Sequence, residues 1–319
     1  MGLQATLSPD KGMARWGAQS GFTIIELIVV IVITGILSTV FIQLIVVPVD
    51  SYVDVSRRAR LVDMADNAIQ RMVYDIKLAL PNSIRVGCDP DNDGEGQCVE
   101  YLNAVAGARY RAGPPGDRLK FNSADQRFEV MGSLDISSID KSTNLATENC
   151  ANNGAACVVV YNTGQTGSDA WNFDNMVTLL DTGSSSSSTT PTWSPAIIRF
   201  DNTGFAGGGN RFPFASPQQR FYIVDTPVKY ICDLSAQTLR RYQGYNIVTN
   251  EASVDSHAEL VALSNSAESG LLAENVTACS FSYDPGTASR NAVLKISITV
   301  TESSENVRLL QQVSVDNLP

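Results

Sequence analysis

Histidine is nearly absent from this chain: among 319 residues only His257 occurs. A histidine-based zinc site and the usual Ser-His-Asp or Cys-His relays would all have to pass through that one residue. Its neighbours Asp255 and Ser256 do not complete a relay by closeness in sequence, because adjacent residues on a helix or strand point apart. His257 reads as a surface residue, and the chain as a protein that is not an enzyme. No C-x-x-C pair occurs either, which removes the common thiolate zinc pattern. Long basic runs are missing as well. The largest Lys/Arg clusters are Arg57-Arg58 and Arg240-Arg241, and 33 acidic against 23 basic residues leave a net charge of −10. Such a balance repels phosphate backbones, so nucleic acid is not an expected partner. No internal repeat is visible.

What the chain does possess is a long stretch without charge. Residues 27–47 read LIVVIVITGILSTVFIQLIVV. A helix needs about 20 apolar residues to cross a bilayer core, whereas a conventional signal peptide has an apolar region of about 7–15. The Ile and Val content also suits a buried strand, but strands rarely exceed about 10 residues, so length favours a membrane-spanning helix. Before it lies a polar leader with Lys11 and Arg15 as its cations. Met13 is an alternative start that leaves a short basic leader. At the junction stands Gly21-Phe22-Thr23-Ile24-Ile25-Glu26. A carboxylate carried to the centre of a membrane span costs about 2.5–3.5 kcal/mol, so such residues usually have partners. Cleavage after Gly21 would place a new α-amino group on Phe22, one turn from Glu26, and the amine of a neighbouring copy could neutralise that carboxylate in a dry helix bundle. The simpler alternative sets Glu26 at the headgroup level near the positive helix N-terminus, with no partner.

These residues resemble the type IV prepilin signature: a basic leader, Gly, Phe, a Glu four residues on, and an apolar helix. The resemblance implies that prepilin peptidase cleaves after Gly21 and methylates the amine of Phe22, and that Glu26 pairs with another subunit's N-terminus during filament assembly. Major pilins usually carry a proline inside the apolar helix; here the first proline beyond the leader is Pro48. The implied localisation is the bacterial inner membrane, single-pass with a periplasmic C-terminal domain, and later the pilus or cell surface. The implied partners are prepilin peptidase, the inner-membrane assembly platform, and other major and minor pilins through the N-terminal helix.

Beyond the span, residues 49–80 keep a helical pattern, with Val62, Ala65, Ile69, Met72, Ile76 and Ala79 three and four apart and Asp63, Asp66, Gln70 and Lys77 off that stripe. Pro81 ends it. Short β-type runs follow at 119–121, 128–131, 157–161, 196–200, 220–224, 228–232 and 239–242. The clearest hairpin closes the chain: Leu294, Ile296, Ile298 and Val300 alternate with polar residues, and Val307, Leu309, Val313 and Val315 recur as their mates. A short helix is expected within 256–272, and the stretches 184–190 and 207–209 read as exposed loops. The layout predicts an α+β, pilin-like fold: a leader (1–21), a transmembrane helix (22–47), its amphipathic continuation (48–80) and a β-rich domain (82–319). The segments AIQRMVYDIKLALPNSIR, VKYICDLSAQTLRRYQGY and NVTACSFSYDPGTASRNAVLKISITVT are similar to the larger minor pilins and J-type pseudopilins. That similarity implies a filament component, either of a pilus or of a type II secretion pseudopilus. An adhesive or sugar-binding tip subunit is a third reading.

All six cysteines, Cys88, Cys98, Cys150, Cys157, Cys232 and Cys279, lie beyond the span, which points to an oxidising compartment. Six cysteines allow 15 pairings. Proximity favours Cys88–Cys98 and Cys150–Cys157, leaving Cys232–Cys279. Between the first two, Asp89, Asp91, Asp93, Gly94, Glu95, Gln97 and Glu100 match the twelve-position calcium loop pattern D-x-[DN]-x-[DN]-G-x₅-E. In that pattern short carboxylates converge on one hard cation, Glu95 offers its carbonyl, Gln97 acts through water, and Glu100 closes the site as a bidentate ligand. A solvated acidic turn is the competing reading. A calcium ion here would have a structural role.

Overall fold

The computed structural model describes residues 21–89, 95–152, 154–181, 196–263, 267–286 and 290–318, with the backbone alone at 42–48 and 50. The chain divides into two units, 1–56 and 57–319. Helix α1 (Ile24–Ile76) contributes to both and continues through Pro48.

In the second unit α1 supplies an apolar stripe of Leu61, Ala65, Ala68, Ile69, Met72 and Ile76, all buried. Asp63, Asp66 and Gln70 are exposed. Val62, expected on the stripe, is turned outward, and Leu61 takes its place. The helix also stops at Ile76 rather than reaching Leu80. Leu78 and Ala79 donate to carbonyls three residues back, and the Leu80 amide donates to the Leu102 carbonyl at 2.8 Å. The strand beside it thus captures backbone groups that the helix would otherwise have used.

The stripe lies in a core shared by two antiparallel sheets. The smaller is β10 (Val276–Asp284), β11 (Ala292–Glu302) and β12 (Glu305–Val315), in that order. Its hairpin register runs unbroken from Ala292 opposite Val315 to Glu302 opposite Glu305, and it buries Leu294, Ile296, Ile298, Val300, Val307, Val313 and Val315. The alternation legible in the sequence is therefore the alternation between core and solvent.

The larger sheet is built on β2 (Cys98–Tyr110) and β7 (Arg220–Asp233), which pair along most of their length. Around them lie β1 (Arg85–Gly87), β3 (Arg127–Met131), β4 (Cys157–Val160), β5 (Met176–Thr178), β6 (Ile197–Arg199), β8 (Thr238–Gln243) and β9 (Glu268–Glu274). The path β5-β4-β7-β2-β3-β6 forms one row, and β8 extends from β7 to β9. The runs 220–224 and 228–232 form a single strand despite Pro227, which lies opposite Leu102 where the register shifts between Leu102 and Ala104. A bulge is where a strand tolerates a residue without an amide hydrogen. Residues 119–121 form no strand. The expected helix within 256–272 is short, α2 (His257–Ala262), and the remainder of that segment includes β9.

Disulfides join Cys88 to Cys98, the pair that proximity favours, and Cys232 to Cys279, the pair left over. The third expected pair is corrected: Cys150 and Cys157 are buried free thiols. Cys157 begins β4 and hydrogen-bonds Cys150, and burial, followed by that contact, pushes its thiol well above the usual range. Alkylation of the unfolded, unreduced chain is expected to label Cys150 and Cys157 alone, read by peptide mass spectrometry. A 150–157 disulfide peptide would contradict this assignment.

Candidate functional site

The first candidate site is the head of α1. Thr23 precedes the first helical residue, and its hydroxyl accepts a hydrogen bond from the Glu26 backbone amide at 3.3 Å. This is half of a capping box, in which a Thr caps the amide three residues on and a Glu at that position suits the positive end of the helix dipole. The T-x-x-E spacing was present in the sequence as a cap signal, alongside the meaning taken from Gly21 and Phe22. Glu26 is exposed, and among the described residues nothing engages its carboxylate. Phe22 is 82% exposed, and Ile24–Phe41 is uncharged apart from Glu26 with none of its window buried. Thr34, Ser38 and Thr39 return their hydroxyls to carbonyls of the preceding turn, as in the 2.6 Å bond from Ser38 to Thr34. Apart from Glu26 the segment therefore presents apolar surface, with the Thr34, Ser38 and Thr39 hydroxyls satisfied internally, as a bilayer or a bundle of similar helices requires. Residues 1–20, with Lys11, Met13 and Arg15, lie outside the described residues.

Of the second candidate, the acidic loop, the structure describes only a part. Glu100, expected to close a calcium site, is fully buried on β2. One carboxylate oxygen receives Arg85 at 2.7 Å, the other receives the Tyr245 hydroxyl at 2.5 Å, and Lys229 stands 4.0 Å away. Both oxygens are committed inside the sheet, so Glu100 is not the terminal ligand of a twelve-position loop. Asp91 and Asp93 lie outside the described residues. Glu95 is exposed, Asp89 and Gln97 are half-buried, and Gly96 forms a bridge to Phe281 on β10. The described part of the motif does not fit the calcium loop pattern.

In its place the structure shows two buried ion clusters that sequence reading missed. Lys229, fully buried on β7, is held by Glu251 and lies 3.5 Å from Asp255. Burial first, then the hydrogen bond and charge of Glu251, push the Asp255 carboxyl up to about 6. The other cluster centres on Asp75 in the last turn of α1. Arg241 reaches it at 2.6 Å, the Tyr230 hydroxyl at 2.7 Å and Arg71 at 3.2 Å. Apart from Arg71 and Asp75, an i,i+4 pair on α1, these contacts join positions far apart in the chain, and nothing in local spacing announces them.

The 255–257 run forms no relay. Asp255 faces Lys229, the Ser256 hydroxyl caps the Glu259 amide at 3.3 Å, and His257 Nδ1 meets the Tyr242 hydroxyl at 3.0 Å. Three adjacent side chains serve three separate elements.

A family model for the prokaryotic N-terminal methylation motif matches residues 16–42. No curated protein and no solved structure matches the chain. The matched segment contains Gly21, Phe22 and Glu26 and most of the exposed apolar helix. The chain thus carries a type IV pilin-like prepilin signal on an antiparallel, β-rich globular unit, consistent with a membrane-anchored, pilin-like protein processed by prepilin peptidase.

Proposed function

We propose that the chain is a minor type IV pilin, of the kind that serves biogenesis of the mannose-sensitive haemagglutinin (MSHA) pilus, and that its role is structural rather than enzymatic. The carrying observation is Gly21-Phe22-Thr23-Ile24-Ile25-Glu26 at the head of the apolar segment Ile24–Phe41, none of which is buried among the described residues. The precursor sits in the inner membrane with its β-rich unit in the periplasm. Prepilin peptidase cuts after Gly21 and methylates Phe22, and the assembly platform then packs α1 against the helices of other major and minor pilins. The large β-rich unit supports a place at or near the filament tip, since a repeating shaft subunit must pack laterally at every step and a tip subunit is free to be bulky.

Mass spectrometry of the mature N-terminus tests this reading. The expected terminus is N-methylated Phe22. A protein recovered from membranes that still begins at Met1 or Met13 would sink the proposal.

A further inference from the structure

The chain as a whole is acidic, and one solvent-facing side of the larger sheet is not. Register places Arg109 on β2 directly opposite Arg220 on β7, and Arg127 on β3 directly opposite Arg199 on β6. Arg109 also lies opposite Met131. Alternate strand residues share a face, so Met131, Glu129 and Arg127 stand on the same side as both arginine pairs, while Phe128 and Val130 point into the core. The two rows are four residue steps apart on β3, so the pairs sit about 13 Å apart along the strand.

Like charges directly opposite each other on neighbouring strands are destabilising. Here the local acids neutralise only part of the face. Asp117 takes Arg127 at 2.6 Å, Glu129 takes Arg111 at 2.8 Å, and Asp316 approaches Arg220 only to 4.0 Å. Among the described residues the exposed side chains of Arg109 and Arg199 have no carboxylate partner. Met131 and Ile197, at 48% and 39% exposed, lie among the arginines, and the strand positions of this face include no lysine.

We infer that this arginine face docks an acidic surface of another protein chain. Guanidinium forks match carboxylates in bidentate geometry, which suits paired arginines better than a diffuse charge requirement would. Arginine and methionine are enriched and lysine depleted at protein interfaces, and this face has that make-up. Charge complementarity also separates the possible occupants. A long phosphate polymer meets the field of the whole chain, whose net charge is −10, whereas a compact carboxylate patch engages the face within a Debye length of about 10 Å. The partner's carboxylates offset the repulsion between the paired arginines, so the face is more stable occupied than bare.

The inference does not depend on filament assembly, and its test reads the face alone. The full chain in non-ionic micelles is titrated with a labelled, short Glu-rich peptide, and in parallel with duplex DNA carrying the same label. Peptide binding that weakens steeply with added salt is expected, and R109E/R199E should lower the affinity by about tenfold or more. R109Q/R199Q should give a smaller loss in the same direction, and R308E, on the other sheet, should leave binding unchanged; circular dichroism checks that each variant folds. Absence of peptide binding at low salt, or equal binding by R109E/R199E, would overturn the inference. DNA binding as tight as peptide binding and lost in the same variant would overturn it in favour of a phosphate polymer.

Discussion

Glu26→Ala is expected to be cleaved after Gly21 and methylated normally, and to be almost absent from assembled filaments. In the proposed function the peptidase acts at the Gly21–Phe22 bond, while the carboxylate acts later, when helices leave lipid for a dry bundle. Removing one member of a buried ion pair costs about 3–5 kcal/mol because the other charge is left alone, and about 3 kcal/mol already corresponds to more than a hundredfold in incorporation. The β-rich unit should fold as before, because Glu26 lies outside 57–319. The Thr23 hydroxyl accepts from the backbone amide of residue 26, which Glu26→Ala keeps, so that cap survives; the competing cause is the lost interaction of the carboxylate with the positive helix N-terminus, and it is small, about 0.3–1 kcal/mol. Glu26→Gln retains a polar side chain at the cap position and removes the charge. If it also fails to assemble, the charge is the cause; normal incorporation of Glu26→Ala, measured in sheared filament fractions, would refute the assembly role.

Asp75→Ala is expected to destabilise the β-rich unit by about 3–5 kcal/mol. Asp75 is 4% exposed and receives Arg241, Tyr230 and Arg71 together. Its removal leaves Arg241 partly buried without its closest anion, and leaves the Tyr230 hydroxyl without its acceptor. That phenol is already held well above its usual range, first by burial and then by Asp75. Asp75→Asn keeps an acceptor for Tyr230 and should cost less. Trp171, packed in the interior, reports unfolding in a urea titration of the full chain in detergent. A lowered midpoint with an unchanged slope is the expected result. A shift below about 1 kcal/mol would mean that the apolar stripe alone holds the helix.

Parts of this architecture were legible because their signal is local. The prepilin signal lies in six consecutive residues, the α1 stripe repeats every three or four, and the β11–β12 hairpin alternates strictly. The extent of β2 is not legible because CVEYLNAVAGARY carries three alanines, a glycine and an asparagine, poor strand formers that are held in place by pairing with β7. In the sequence β7 reads as two strands, because Pro227 looks like a break until the bulge opposite it is seen. Glu100 fitted a motif by spacing, yet its strand turns it inward toward Arg85 and Tyr245. The arginine face is invisible in the linear order, where Arg109, Arg127, Arg199 and Arg220 are spread over more than a hundred positions.

The Cys232–Cys279 bridge has a mechanical meaning. It runs from β7 of the larger sheet to β10 of the smaller one, and residues 61–76 of α1 pack into the core that both sheets share. A pull applied to that part of the helix divides between two sheets whose mutual contacts are largely apolar packing. Non-covalent packing yields under sustained tension; a covalent tether does not slip, so the sheets carry the load jointly. Reduced protein, stretched end to end, should rupture in two steps where oxidised protein ruptures in one.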